Sequence, residues 1–137
     1  MTTSELIIPN WPAPDNIKAI STTRHGGYSR PPYDNMNLGT HVGDDNLLVS
    51  QNRQQLIQLA KLPESPRWLQ QVHGTHMINS ADWQADIEAD AMFSQRANHV
   101  CTVMTADCLP LLLCNQHGDT VAAIHVGWRG LASGIIE

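Results

Sequence analysis

The amino-acid sequence predicts a mixed α/β (α+β) domain in which several short strands form a mixed sheet. Short runs rich in Val, Thr and Ile recur between polar or Gly-containing segments, as buried strands do. One longer stretch, after Asp45, instead carries Leu at near-helical spacing. Neither a GxGxxG turn nor a P-loop is present, so the common nucleotide-binding α/β units are not expected.

In chain order, Pro9, Pro12 and Pro14 make an extended lead-in over residues 1–16, with Trp11 as its anchor. That segment lacks a basic start, and its apolar run covers only Leu6–Ile8, so neither a signal peptide nor a membrane anchor is expected. Residues 17–23 read as a strand ending in Arg24-His25-Gly26-Gly27. A Gly pair beside Arg is either a loop that offers amides to an anion or a turn with a solvated Arg. Residues 31–40 read as a loop. Asp44 or Asp45 caps a helix running to about Leu62, with Leu48, Leu56, Leu59 and Leu62 near one face and Pro63 closing it.

Residues 68–72 read as a strand that ends in His73-Gly74. Residues 75–79 either pair with it or continue past a bulge at Gly74. His76 falls on the face opposite His73, as an edge residue. The acidic stretch from Asp82 to Glu88 lacks Ca-loop spacing and reads as a solvated loop. A short strand over 91–93 follows Asp90. Residues 99–104 and 120–124 are two further strands. The turn composition of 115–119 lets the apolar segment 109–114 pair with the strand after it. A second helix opens near Leu131, with no C-cap or Gly stop expected before Glu137.

This layout places His73, Cys108 and His125 at three strand ends. A thiol near an imidazole is either a nucleophile with its base or two ligands of a soft metal. Two His and one Cys with a fourth position open match a catalytic zinc arrangement, although the spacing fits no short zinc-finger pattern. Taken alone, Cys108 reads equally as packing beside a core strand, while Cys101 and Cys114 sit inside apolar runs and read as packing. Asp107 reads equally as a partner fixing a His tautomer and as a cap on the turn after its strand.

The words QVHG (71–74), TADCLPLLL (105–113) and HVGWRGLASGI (125–135) resemble those of the YfiH-type family. TTRHGGYS (22–29), NLGTHVGDD (37–45), Asn52-Arg53 and ADA (89–91) agree with it. Members of that family are described as multicopper polyphenol oxidoreductases or laccases. They are also described as purine nucleoside phosphorylases with adenosine deaminase and methylthioadenosine phosphorylase side activities, and as peptidoglycan editing factors. The resemblance implies a layered α/β sandwich and a catalytic zinc on His73, Cys108 and His125, with copper as the alternative metal. It also gives Asp90 a role in orienting the site. Family members continue well past the position of Glu137, so a single domain over 1–137, truncated at its C-terminus, is expected.

Phosphorolysis of adenosine, inosine, guanosine or methylthioadenosine requires phosphate to be held and aimed. Arg24 and Arg129 are the residues for that, because a guanidinium makes two parallel bonds to phosphate. Multicopper chemistry asks for many His, usually in His-X-His pairs, and none of the seven His forms such a pair. Two further readings belong to other classes: a metal-free Cys108–His125 hydrolase, and an inactive piece whose bare apolar surface self-associates.

Composition narrows the partners. A formal net charge of −5 gives no general attraction to nucleic acid or to anionic membrane. Three Cys without a pairing pattern point to a reducing compartment, and the cytoplasm is the expected location.

Overall fold

A computed structural model of the protein describes residues 6–137; the first five residues of the lead-in lie outside the described residues. The fold is mixed α+β, as expected, with two sheets and few helices. The chain forms two compact units. One comprises the described residues up to Trp11 and Ala19–Pro63; the other comprises Pro12–Lys18 and Glu64–Glu137.

In the first unit, β1 (Leu6–Ile7) pairs antiparallel with β2 (Ser21–Thr22). The strand expected from Ile17 shrinks to two residues because the Ile17 amide turns back to the Pro14 carbonyl at 3.0 Å. Helix α1 (Asn46–Ala60) starts at Asp45, whose carboxylate accepts from the Leu47 amide at 2.8 Å, the usual N-cap bond. It stops before Leu62 because Lys61 turns left-handed (φ 52°) and its amide closes back on Gln58. Its buried face is Val49, Asn52 and Leu56, so of the predicted Leu stripe only Leu56 is fully buried.

The reason lies in Asn52. Its side chain accepts from the Tyr28 amide at 2.7 Å and donates to Ser29 Oγ and to the Asn37 carbonyl, both at 2.8 Å. A polar residue is buried there because it satisfies the backbone of the loop lying across the helix. The same loop jams Gly27 against the Asn35 carbonyl, 2.3 Å from where a Cβ would sit, and ties the Gly27 amide to Asn35 Oδ1. That amide is therefore committed within the fold, which removes it from the anion loop considered at Gly26-Gly27.

The second unit holds a four-stranded mixed sheet in the order β3 (Met77–Asn79), β4 (Ala91–Ser94), β6 (Val121–Val126), β5 (Leu109–Cys114). β3 is parallel to β4, and the other pairs are antiparallel. The β5–β6 hairpin forms as predicted. Asn115 closes it by accepting from the Asp119 and Thr120 amides at 3.1 and 3.2 Å, and Gly118 supplies the left-handed position (φ 73°).

Successive β4 residues face opposite sides of the sheet. Met92 joins Leu69, Ile78 and Ala89, with Trp83 and Ile87 packed on them. Ala91 joins Ile124, Val126 and Ile135 on the other face. The segment 82–88 is exposed, as a solvated loop is, apart from Trp83 and Ile87, which pack on the core.

Two predicted strands are absent as ladders. Residues 68–72 form only one bridge, Gln70 to Glu88, and 99–104 form none. Side chains link them instead. Gln71 donates to the Met104 carbonyl and accepts from the Met104 amide, both at 2.7 Å, while Glu64 accepts from the Val100 amide at 3.0 Å. A Gln amide thus stands in for a strand neighbour, which apolar periodicity cannot reveal.

Helix α2 spans Trp128–Ser133, opening three residues earlier than expected. It also ends in a Gly cap that the sequence reading had ruled out. Gly134, at φ 98°, occupies the left-handed position and its amide reaches back to Gly130 and Leu131.

Candidate metal centre

Strand register explains why Cys108 and His125 meet. In the β5–β6 ladder Leu109 lies opposite Val126 and Pro110 opposite His125. One step further, Cys108 faces Gly127. Opposed residues of an antiparallel pair share a face, as do residues two apart, so Cys108, His125 and the bare Cα of Gly127 line one side. The β4–β6 ladder ends with Ala91 opposite Ile124, and its next pair is Asp90 with His125. The His125 amide donates to the Asp90 carbonyl at 2.7 Å, continuing the ladder.

That register also sets the His125 ring. Its Nδ1 lies 2.7 Å from Asp90 Oδ2, and both side chains are buried, at 4% and 0% exposure. Burial opposes ionisation of Asp90. The His125 bond and the amides of Gly74, Val72 and His73 outweigh that and hold the carboxyl below the usual carboxylate range. An ionised carboxylate only accepts, so Nδ1–H is the donor of that bond and Nε2 is the ring nitrogen left to face a cation.

His73 arrives by a different route. It is not at a strand end but in a bend, at φ 60°, a region that non-Gly residues seldom adopt. Asp90 holds it there. Oδ1 accepts from the Val72 amide at 3.0 Å and the Gly74 amide at 2.9 Å, and Oδ2 accepts from the His73 amide at 3.0 Å. One carboxylate therefore fixes the backbone beneath His73 and the ring of His125.

The three ligand atoms of His73, Cys108 and His125 lie within 4.8 Å of one another, and the two rings meet edge to face at 4.9 Å. Zinc bonds of roughly 2.0–2.3 Å need only a small further closure, which the exposed His73 side chain is free to make. Among the described residues this is the one group of three or more His, Cys, Asp or Glu side chains so gathered. Gly127 supplies the clearance: a Cβ there would stand 3.0 Å from His73 Nδ1 and 3.2 Å from Cys108 Sγ. The donor set, the fixed Nε2 and the cleared space all fit a tetrahedral cation with one position free.

A Gly directly after a ligand at the end of a strand is the sequence signal for this clearance. An expected result follows. Gly127 has φ −86°, which Ala adopts freely, so Gly127→Ala tests space alone. Zinc affinity should fall about 10- to 100-fold, the range seen when a ligand's support is disturbed. The fold should stay intact by circular dichroism. Unchanged zinc affinity in a competition titration would show that the clearance is irrelevant.

The other predicted residues are placed as follows. Asp107 is exposed on the bend before β5, and the carboxylate on His125 is Asp90 instead. Arg129 is exposed on α2 with its guanidinium 5.0 Å from the Trp128 ring centroid. Arg24 belongs to the first unit, where it bonds the Asp34 carboxylate at 2.8 Å and the Asp34 carbonyl at 3.0 and 3.2 Å. His76 is exposed, and its carbonyl accepts from the Asp90 amide at 3.1 Å.

Residues 18–137 match the family model described as multi-copper polyphenol oxidoreductase laccase. The chain belongs to that family. Within it, this laccase-family chain is 50% identical over 135 residues to the purine nucleoside phosphorylase YfiH of Escherichia coli K12, covering 98% of this chain and 56% of the relative. It is 47% identical over 133 residues to the purine nucleoside phosphorylase of Haemophilus influenzae, covering 97% and 54%. Among solved structures, the Neisseria meningitidis protein NMB0706 superposes with a TM-score of 0.90 at 44% identity, covering 96% of this chain and 54% of that one. YlmD of Geobacillus stearothermophilus gives 0.71 at 32% identity, covering 83% and 46%. The laccase-family chain thus spans about half the length of the curated relatives it matches. No helix among its described residues is long and apolar enough to cross a membrane.

Proposed function

We propose that this chain carries the zinc centre of a purine nucleoside phosphorylase that acts on adenosine, inosine, guanosine and methylthioadenosine, with deamination of adenosine as a side reaction. The observation that carries the reading is the convergence of His73, Cys108 and His125 within 4.8 Å over the gap left by Gly127. The names of the relatives supply the substrate class. When bound, zinc supplies Lewis acidity at its free position.

The residues divide the remaining work. Asp90 keeps the proton of His125 on Nδ1, so that Nε2 and not Nδ1 faces the cation. Cys108 contributes the soft, anionic donor. Arg129, exposed one residue beyond Trp128, presents a planar guanidinium able to take two oxygens of phosphate and offset their charge. Copper suits the same three donors, but a multicopper cluster needs more His than this group holds.

The decisive experiment measures metal per chain by mass spectrometry beside an assay with adenosine and phosphate that separates adenine from inosine. About one zinc per chain with phosphate-dependent release of adenine is the expected result. Zinc without release of base would sink the phosphorylase reading and leave the metal centre standing. Turnover that survives chelation would move the chemistry to a metal-free pair of Cys108 and His125.

A further inference from the structure

We propose that the indole of Trp128 is the surface on which the purine base stacks, an inference that rests on the phosphorylase reading. Trp128 is 74% exposed, more than any other large hydrophobic residue described. An indole this exposed keeps most of its surface open to a ligand. The other aromatic residues of its unit are Trp68, Trp83 and Phe93, and all three are at least partly buried. Trp83 packs on the core and donates its indole N–H to the Trp68 carbonyl at 2.8 Å. Trp128 is the exposed one among them.

Its place in the chain ties it to the candidate centre. Trp128 follows Gly127, the residue whose missing side chain leaves room beside His73 Nδ1 and Cys108 Sγ. Its backbone is anchored: the Leu131 amide bonds the Gly127 carbonyl at 2.9 Å, and Gly130 packs so close that a Cβ would stand 3.0 Å from the Gly74 carbonyl. The turn bearing His73 and the helix bearing Trp128 are thus in direct contact.

Arg129 completes the arrangement. Its guanidinium lies 5.0 Å from the Trp128 ring centroid, within cation–π range. A guanidinium stacks by its face and forms hydrogen bonds by its edge, so Arg129 can back the indole while its N–H groups remain directed outward for phosphate. A flat, neutral base is the ligand that suits an exposed indole, and a two-ring purine covers it better than a one-ring pyrimidine. Trp128 would therefore set the preference for purine over pyrimidine nucleosides.

The test is equilibrium binding of adenosine, uridine and ribose to the intact protein and to Trp128→Ala and Trp128→Phe, by calorimetry, with zinc content measured on each sample. Stacking on an aromatic side chain accounts for about 5- to 100-fold in affinity. Trp128→Ala should weaken adenosine by that factor, leave ribose and zinc content unchanged, and erase the preference over uridine. Trp128→Phe should recover part of the loss. Equal adenosine affinity in wild type and Trp128→Ala overturns the stacking role even if phosphorolysis is observed, and so does failure of the wild type to bind adenosine. Selective loss in Trp128→Ala from a protein that releases no base supports the stacking surface and removes the phosphorolysis reading by itself.

Discussion

Cys108→Ala is expected to abolish stoichiometric zinc while leaving the fold in place. The thiol is one of three donors, and its removal leaves two neutral imidazoles with no anionic ligand. The affinity loss should exceed the 10- to 100-fold that follows from disturbing a residue behind a ligand. Stability should change little, because Cys108 is only partly buried and belongs to neither apolar cluster. Zinc content by mass spectrometry, read beside the thermal transition of the metal-free protein, separates the two effects. Cys101→Ala is the control. That thiol packs against the core and burial pushes it up to about 11, so it stays protonated and unavailable as a ligand near neutral pH. Full zinc in Cys108→Ala, or zinc lost equally in Cys101→Ala, would refute the assignment.

Asp90 should give the largest loss of stability of any single site in the second unit. It is fully buried and accepts four hydrogen bonds, from the amides of Val72, His73 and Gly74 and from the His125 ring. Asp90→Ala leaves all four donors without a partner. Each orphaned donor costs about 1–3 kcal/mol, and relaxation and water entry recover part of the sum. A net loss on the order of 3–5 kcal/mol is expected, a large share of the roughly 5–15 kcal/mol that holds a domain together. At this chain length that lowers the thermal midpoint by roughly 10–20 °C.

Asp90→Asn is the informative partner. It keeps the volume and one acceptor, which can serve Val72 and Gly74, but it sets an NH2 group against the His73 amide and the His125 ring. His125 then gains by moving its proton to Nε2, the nitrogen that a metal needs free. Asparagine should therefore recover much of the stability and little of the zinc affinity. A thermal midpoint for Asp90→Ala within a degree or two of wild type would refute the account of the four bonds. Zinc affinity at wild-type level in Asp90→Asn would refute the account of the tautomer.

The parts of this molecule differ in how far they can be read without coordinates. The β5–β6 hairpin was legible because its information is local. Asn115 and Gly118 specify a turn, and period-2 geometry then carries the register outward to Cys108 and His125. Helix α1 was legible in its start, since Asp45 caps it, but not in its buried face. That face is chosen by a loop that Asn52 satisfies, and no apolar stripe encodes such a choice. The Gly134 cap was overlooked although its residue type was in view, because a cap depends on φ as well as on composition.

His73 marks the limit most clearly. Its motif located the residue, yet the expected strand beneath it does not form, and its position depends on three amides that converge on a carboxylate distant in the chain. By itself the sequence determined the mixed α+β class, the family, the hairpin and the three candidate ligands, because propensities, turn residues and motif words are all local properties. Tertiary structure alone decided that Asp90 rather than Asp107 orients His125, and that a left-handed bend presents His73. It also decided that the missing side chain of Gly127 leaves the space between the ligands. Each of these depends on which backbone amides and ring atoms are brought together across the sheet, and distance through space is not written in the order of residues along the chain.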